Sequence, residues 1–406
     1  MTARKERPRF ALVLSGGGAR GAYEAGVLAH LFEHVIPRLR PGFEFDVLSG
    51  TSVGAIHAAF AGATTHLEPA VRAGRLARTW SSMEIGHVLR LSTADLLRMP
   101  LRALGLARLE GKGVLGGLVD VTPLERLVSE AVPWDALPRN LSRRRTGALC
   151  ISCTEVRSGR VTIFMDGALA DPEPWAYDPN AQAIRAALNE SHVRASAAIP
   201  FLFPAVRIGE RYYVDGGLRM NTPLSPALRL GADRVLVIAL KHHPAVGDHP
   251  PYPEEVITQP AFLLGKVLDA LTLDQLEYEL HRIELVNALI GRGGDVYGDG
   301  FLEAINVAVR EQRGVGFRRV SACVVRPSAD IGGIAADCHR ESGGLRALGV
   351  LPELIARAAL RGVPQDEADL LSYLYFDRCF TTRLIELGRE DARRAEHQIF
   401  ELLEGD

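Results

Sequence analysis

Residues 12–28, LVLSGGGARGAYEAGVL, constrain the fold more than any other stretch, because an apolar run breaks at three consecutive glycines and resumes with helical spacing. An apolar run bounded by turn residues predicts a buried strand, and the pattern after Gly21 predicts a helix. A strand that passes through a glycine turn into a helix begins a βαβ unit. Gly16, Gly18 and Gly21 also satisfy G-x-G-x-x-G. That pattern fits two quite different guests: the phosphates of a dinucleotide, or an oxygen that becomes negative only during a reaction.

Further strand-like runs are RFALVL, FDVLSG, GALCISCTEV, RVTIFM, ERYYVDG, ADRVLVIAL and RRVSACVVRP, with helix-like patterns between several of them. This alternation predicts an α/β fold, a three-layer α/β/α sandwich around a mostly parallel sheet. The texture changes after residue 245, where HHPAVGDHPPYPEE reads as a loop. We therefore expect a main domain over 8–245. Residues 246–406 are expected to hold the Pro/His-rich loop, a long helix from Gln259 to about Ile290, one further strand and a helical tail packing on that domain.

The chain of 406 residues is 47% hydrophobic and carries a net charge of −2, so it can bury a large core and offers no general attraction for nucleic acid. Its five cysteines, irregularly spaced, predict no disulfide framework and a reducing compartment. Cys150 and Cys153 form a C-x-x-C with no second pair for zinc, and the plain reading is a core strand. The basic start MTARKERPRF precedes an apolar run too short for a signal peptide. The uncharged run VLSGTSVGAIHAAFAGATTHL is long enough for a membrane span, but glycines, hydroxyls and two histidines interrupt it. A cytoplasmic protein is the expectation.

The end of the second predicted strand separates the two readings of the glycine loop. A dinucleotide fold wants an acid there. Glu44 and Asp46 come before that strand instead, and it runs into Gly50, Thr51, Ser52, Val53 and Gly54. G-x-S-x-G between a strand and a helix is the setting of a nucleophile elbow, where the turn lifts a serine hydroxyl to the amino end of the next helix. A serine needs a base. Asp215, followed by Gly216 and Gly217, ends the strand-like YYVDGG, although Asp-Gly is also an ordinary turn. Of the twelve histidines, His242 and His243 would suit a Ser-Asp-His order, whereas His57, five residues past Ser52, reads as packing or capping.

The succession SGGGARGAYEAGVL, GTSVGAIHAA, ASAAIPFLFP (195–204) and DGGLRMNTP resembles the patatin-like phospholipase family, over roughly residues 10–240 and the strand near Val320 to Val325. The resemblance implies a patatin-like sandwich with a helical C-terminal region and a bacterial patatin-like lipid acyl hydrolase of phospholipase A or lysophospholipase type. It implies a Ser52–Asp215 dyad, in which a dry site raises the proton affinity of the carboxylate. It further implies an oxyanion hole formed by Gly16, Gly17, Gly18, Arg20 and Gly21, with Arg20 bracing the loop or neighbouring the charge. Gly50, Gly54, Gly216 and Gly217 shape the two turns. No cofactor and no metal are expected. Phe201 and Phe203 are acyl-channel candidates or simple core.

Residues 89–116 carry five basic and two acidic side chains among leucines. They fit a solvated helix on the core, or a segment that caps the site or meets a membrane surface peripherally. Besides the phospholipid hydrolase, two readings stay open: an esterase with a Ser-Asp-His triad, and a lipid-binding regulator without turnover.

Overall fold

The computed structural model describes residues 7–88, 121–143, 145–200, 202–242, 276–298, 300–341 and 369–404. The basic segment 89–116, Phe201, His243, the Pro/His-rich loop and the first part of the long helix lie outside these residues.

In chain order the strands are β1 (Phe10–Leu14), β2 (Val47–Thr51), β3 (Ala148–Glu155), β4 (Val161–Asp166), β5 (Ala181–Arg185), β6 (Val206–Ile208), β7 (Arg211–Asp215), β8 (Arg234–Ile238) and β9 (Ser321–Val325). They form one sheet in the order β5-β4-β3-β2-β1-β8-β9, with the β6–β7 hairpin attached to β3 through β7. The β3-β2-β1-β8-β9 run is parallel throughout, and β4 turns antiparallel to β3. All the strand-like runs read from the sequence are present. Only β5 and β6 are additional.

Alternation along β1 shows why the sheet is covered on both faces. Phe10, Leu12 and Leu14 enter one apolar core, while Ala11 and Val13 enter another. Each large side chain buried this way stabilises the fold by about 1.5–3 kcal/mol. Parallel neighbours require crossover connections, which helices supply here. On the first face lie α1 (Gly21–His30), α2 (Val53–Ala63) and α3 (Pro69–Ser81), then α4 (Thr122–Ala131), α5 (Leu137–Ser142) and α6 (Glu190–Ser196). On the other face lie α7 (Leu224–Arg229) and α8 (Leu276–Tyr297). Helix α9 (Phe301–Arg313) leads to β9.

The tail contains α10 (Ile331–Glu341), α11 (Asp369–Leu374), α12 (Arg378–Arg394) and α13 (Glu396–Glu404). Every residue of α1 is buried, Glu24 and His30 included. It packs against α12, α3 and α2, and glycines let α1 and α12 cross closely. A Cβ at Gly26 would sit 2.2 Å from the Ile385 carbonyl oxygen, and one at Gly388 2.1 Å from that of Tyr23. Tyr23 donates to Asp391 at 3.2 Å and Arg389 pairs with Glu33 at 2.5 Å, fastening the same crossing.

One expectation is overturned. Cys338 of α10 and Cys379 of α12 form a disulfide across 41 residues, with their Cα atoms 5.8 Å apart. Helix packing brings them together, and their spacing in the sequence carries no sign of it. With that bond, the cysteine count ceases to argue for a reducing compartment. Cys150 and Cys153 are free, buried core residues of β3, and burial pushes the Cys150 thiol up to about 12. Among the described residues no helix is long and apolar enough to cross a membrane.

Candidate active site

Chain direction places the site. From β1 the sheet grows one way to β2 and β3 and the other way to β8 and β9. A parallel sheet opens a crevice beyond its strand ends where the order reverses in this manner. The glycine loop leaves the end of β1, and Ser52 leaves the end of its neighbour β2.

Ser52 takes the whole strand-to-helix bend in one residue, with φ 54° and ψ −122°. It is the only non-glycine residue with positive φ among the described residues. Neighbouring glycines make room for the bend. A Cβ at Gly50 would lie 2.2 Å from the Gly54 oxygen, and one at Gly54 would lie 2.3 Å from the Leu14 oxygen. Although Ser52 precedes α2, its side chain does not cap that helix. The hydroxyl lies near enough to Asp215 to pull that carboxyl's pKa down. Its amide donates to Ser196 Oγ at 2.9 Å, and Ser196 donates onward to the Ser152 carbonyl at 2.7 Å.

Asp215 ends β7 opposite Cys153 of β3 and is almost wholly buried. Burial pushes its carboxyl up to about 6. The nearby Ser52 hydroxyl and a hydrogen bond from the Gly217 amide at 2.7 Å offset part of that rise. Gly216 has no room for a side chain, since a Cβ there would lie 2.2 Å from the Ser152 oxygen. The residues that follow clasp both loops. Met220 and Pro223 carbonyls accept from Thr51 and Ser49 at 2.8 Å each, and Thr222 meets Ser15 at 2.6 Å.

The expected oxyanion set divides. Gly16 does not contribute its amide, because that N–H donates to the Asn221 carbonyl at 3.0 Å. What Gly16 gives is proximity: a Cβ there would sit 3.2 Å from that of Ser52. Among the described residues no hydrogen bond engages the amides of Gly17 and Gly18, and Gly18, at φ 56°, shares a cavity wall with Ser52. Gly21 seats the start of α1 against Val53, whose Cγ2 would be 2.3 Å from a Cβ. Arg20 is a brace. Its Nε donates to Ser372 Oγ at 2.7 Å, and its guanidinium lies 4.1 Å from the Tyr373 ring centre.

His57 is a packing residue, as read, though with polar partners on both sides. Trp80 Nε1 donates to its Nε2 at 2.7 Å, which leaves the Nδ1 hydrogen to donate to Glu24 at 2.5 Å. Burial pushes the Glu24 carboxyl up, against the pull of His57. This chain of contacts ties α1, α2 and α3 together behind the site. His242 bonds the Pro327 carbonyl at 2.9 Å. Among the described residues no histidine shares a hydrogen bond with Ser52 or Asp215, and no group of three or more metal-ligating side chains occurs.

Ser52 lines a pocket partly open to solvent, with apolar walls that include Ile56, Phe60, Leu124 and Phe203. Sequence reading missed Ser196, Glu24, Trp80 and the tail residues Ser372 and Tyr373. Ser196 lies within the quoted ASAAIPFLFP stretch. The others have no local signal.

The family model of the patatin-like phospholipases matches residues 12–228, more than half of the sequence, and the chain belongs to that family. It is 24% identical over 233 residues to an uncharacterized NTE family protein of Mycobacterium tuberculosis, a match covering 57% of this chain and 49% of that protein. It is 26% identical over 232 residues to patatin-like phospholipase domain-containing protein 7 of Rattus norvegicus, covering 56% of this chain and 13% of that one. The chain thus spans about half the length of the mycobacterial relative and about an eighth of the rat protein. Among solved structures, human GIVD cytosolic phospholipase A2 aligns with 98% of this chain and 60% of its own, at 12% identity and a TM-score of 0.44.

Proposed function

We propose that this chain is a serine-dependent lipid acyl hydrolase of phospholipase A or lysophospholipase type, with Ser52 as nucleophile and Asp215 as its base. The observation that carries this reading is that buried Ser52, at the wall of an apolar cavity, lies near enough to buried Asp215 to act on its carboxyl. Its family membership supplies the substrate class.

The chemistry follows from the contacts. Asp215 accepts the Ser52 proton as Oγ attacks the ester carbonyl, and the carbonyl oxygen takes the negative charge. The unengaged Gly17 and Gly18 amides would hold that oxyanion, each such donor contributing roughly 3 kcal/mol to the transition state. The intermediate collapses to an acyl-serine, and the departing alcohol leaves with the proton from Asp215. Water then gives a proton to Asp215 as its oxygen attacks the acyl carbonyl, and the second intermediate collapses as Asp215 returns that proton to the departing Ser52 Oγ and the fatty acid is released. A carboxyl raised to about 6 is still ionised at neutral pH, yet it is a far better base than a solvated aspartate.

The nearness of Ser52 to Asp215 favours this dyad over a triad through His242, which is already committed to Pro327. The reading assigns chemistry to residues 8–245 and cover to residues 246–406, with the protein meeting lipid at the cytoplasmic membrane surface. Labelling by a long-chain fluorophosphonate, with fatty acid and lysolipid release from a mixed lipid extract followed by mass spectrometry, tests it. Both signals are expected to vanish in Ser52→Ala. Labelling that persists in that variant removes the proposal.

A further inference from the structure

The family match ends at residue 228, yet part of the cavity wall beside Ser52 comes from residues more than 140 positions later. Tyr373, Leu374 and Phe376, at and just after α11, line the same cavity as Ser52 and Gly18. The preceding residue, Ser372, is fully buried and accepts from Arg20 at 2.7 Å. Tyr373 contributes twice: its ring stacks on the Arg20 guanidinium, and its carbonyl oxygen would be 2.3 Å from a Cβ at Gly18.

The geometry points to α11 and the residues after it, 371–376, as a working part of the active site. Leu374 and Phe376 set how much acyl chain the cavity accepts. Ser372 and Tyr373 position the Gly17–Gly18 turn through Arg20. This rests on the hydrolase reading above and extends it to residues outside the family match.

Two physical arguments separate these roles. A glycine held at φ 56° has a broad range of backbone conformations open to it, so something outside the loop must select one. A buried guanidinium fixed by a hydroxyl and an aromatic face can do this, because its planar fork restricts direction as well as distance. The apolar side chains carry no such orienting group. They act by volume, since interiors are packed too densely to absorb an extra ring.

The test compares p-nitrophenyl butyrate with p-nitrophenyl palmitate. Leu374→Trp should fill the cavity and lower the palmitate-to-butyrate ratio of kcat/KM by roughly tenfold, and Phe376→Leu should raise it. Ser372→Ala should lower kcat roughly tenfold for both esters with KM nearly unchanged, and Ser372→Thr should restore it. Variants are compared at equal melting temperature and equal circular dichroism. If Leu374→Trp does not fold, the Phe376→Leu ratio decides the matter. Unmoved ratios together with an unchanged kcat in Ser372→Ala would overturn the inference while wild-type fluorophosphonate labelling stands. Absence of that labelling in the wild type would instead strike the hydrolase reading itself.

Discussion

Ser52 and Tyr373 line one cavity but arrive there by different means. Ser52 is placed by its own neighbours in sequence, since two glycines within two residues of it open the bend and a strand and a helix hold the ends. Tyr373 is placed by partners some 350 residues away, through Arg20, Gly18 and the α1–α12 crossing. Short-range sequence therefore encodes the proposed reacting groups, whereas long-range packing encodes the shape around them. Substitutions at the two places should differ in kind. At the elbow they should remove chemistry and leave the fold, while at the tail they should loosen the fold and only tune the chemistry.

The sharpest break of that contrast is Ser52→Ala. It is expected to lower kcat/KM by about 10⁴–10⁶-fold with an unaltered melting temperature, read by ester hydrolysis and calorimetry. A comparable fall in stability would mean that the elbow is structural as well.

Asp215→Asn comes next, with two opposite effects. Activity should fall by about 10⁴-fold. The wild-type rate should rise with pH through about 6, as the buried carboxyl ionises, and level off above it. Stability should move the other way. The folded state holds the Asp215 proton up to about 6, whereas an unfolded aspartate releases it near 3.9, so wild-type stability falls as pH rises between about 4 and 6. A side-chain amide never ionises in this range, and the variant should be more stable than wild type by up to about 3 kcal/mol at pH 8, with the advantage gone at pH 3. Denaturant midpoints at the two pH values check it, and an equal difference at both would contradict the linkage.

On the tail side, Gly388→Ala should push α12 from α1, because the new methyl meets backbone at Tyr23. We expect about 2–3 kcal/mol of destabilisation. Residual specific activity of the folded fraction should remain near wild type. A neutral result would show that the crossing is looser than described.

The smallest effect tests the boundary between the two regions. Ser196→Ala leaves the buried Ser52 amide without its acceptor, at a cost of about 1–2 kcal/mol. Unlike Gly388→Ala it should also slow turnover, since the amide belongs to the proposed nucleophile itself.

The legibility of the chain follows the same divide. The strands β1, β2, β3, β4, β7, β8 and β9 could be read because each is a run of apolar residues bounded by turn residues. Strand β6 has three residues, and β5 sits at the sheet edge with its side chains half exposed, so neither carries a pattern to read. Ser52 and Asp215 were legible as candidates because glycines flank the first two positions away on either side and follow the second directly. The engagement of Gly16 by Asn221 was not, since it depends on how the segment after Asp215 folds back across the sheet. Nor was the Cys338–Cys379 bond, which needs two helices docked before the sulfurs can meet. Glu24 illustrates the same limit: in sequence it is a polar residue on a helix, and only burial against His57 gives it significance.

The backbone angle at Ser52 bears on how this molecule can change over time. A residue with a Cβ held at φ 54° sits in a region that glycine enters freely and serine enters only at a cost of roughly 1–3 kcal/mol. Exchanging Ser52 for glycine would relieve that cost, so a population screened for robustness alone would drift toward a sturdier and inert descendant. The hydroxyl persists at this bend only where something keeps demanding its work.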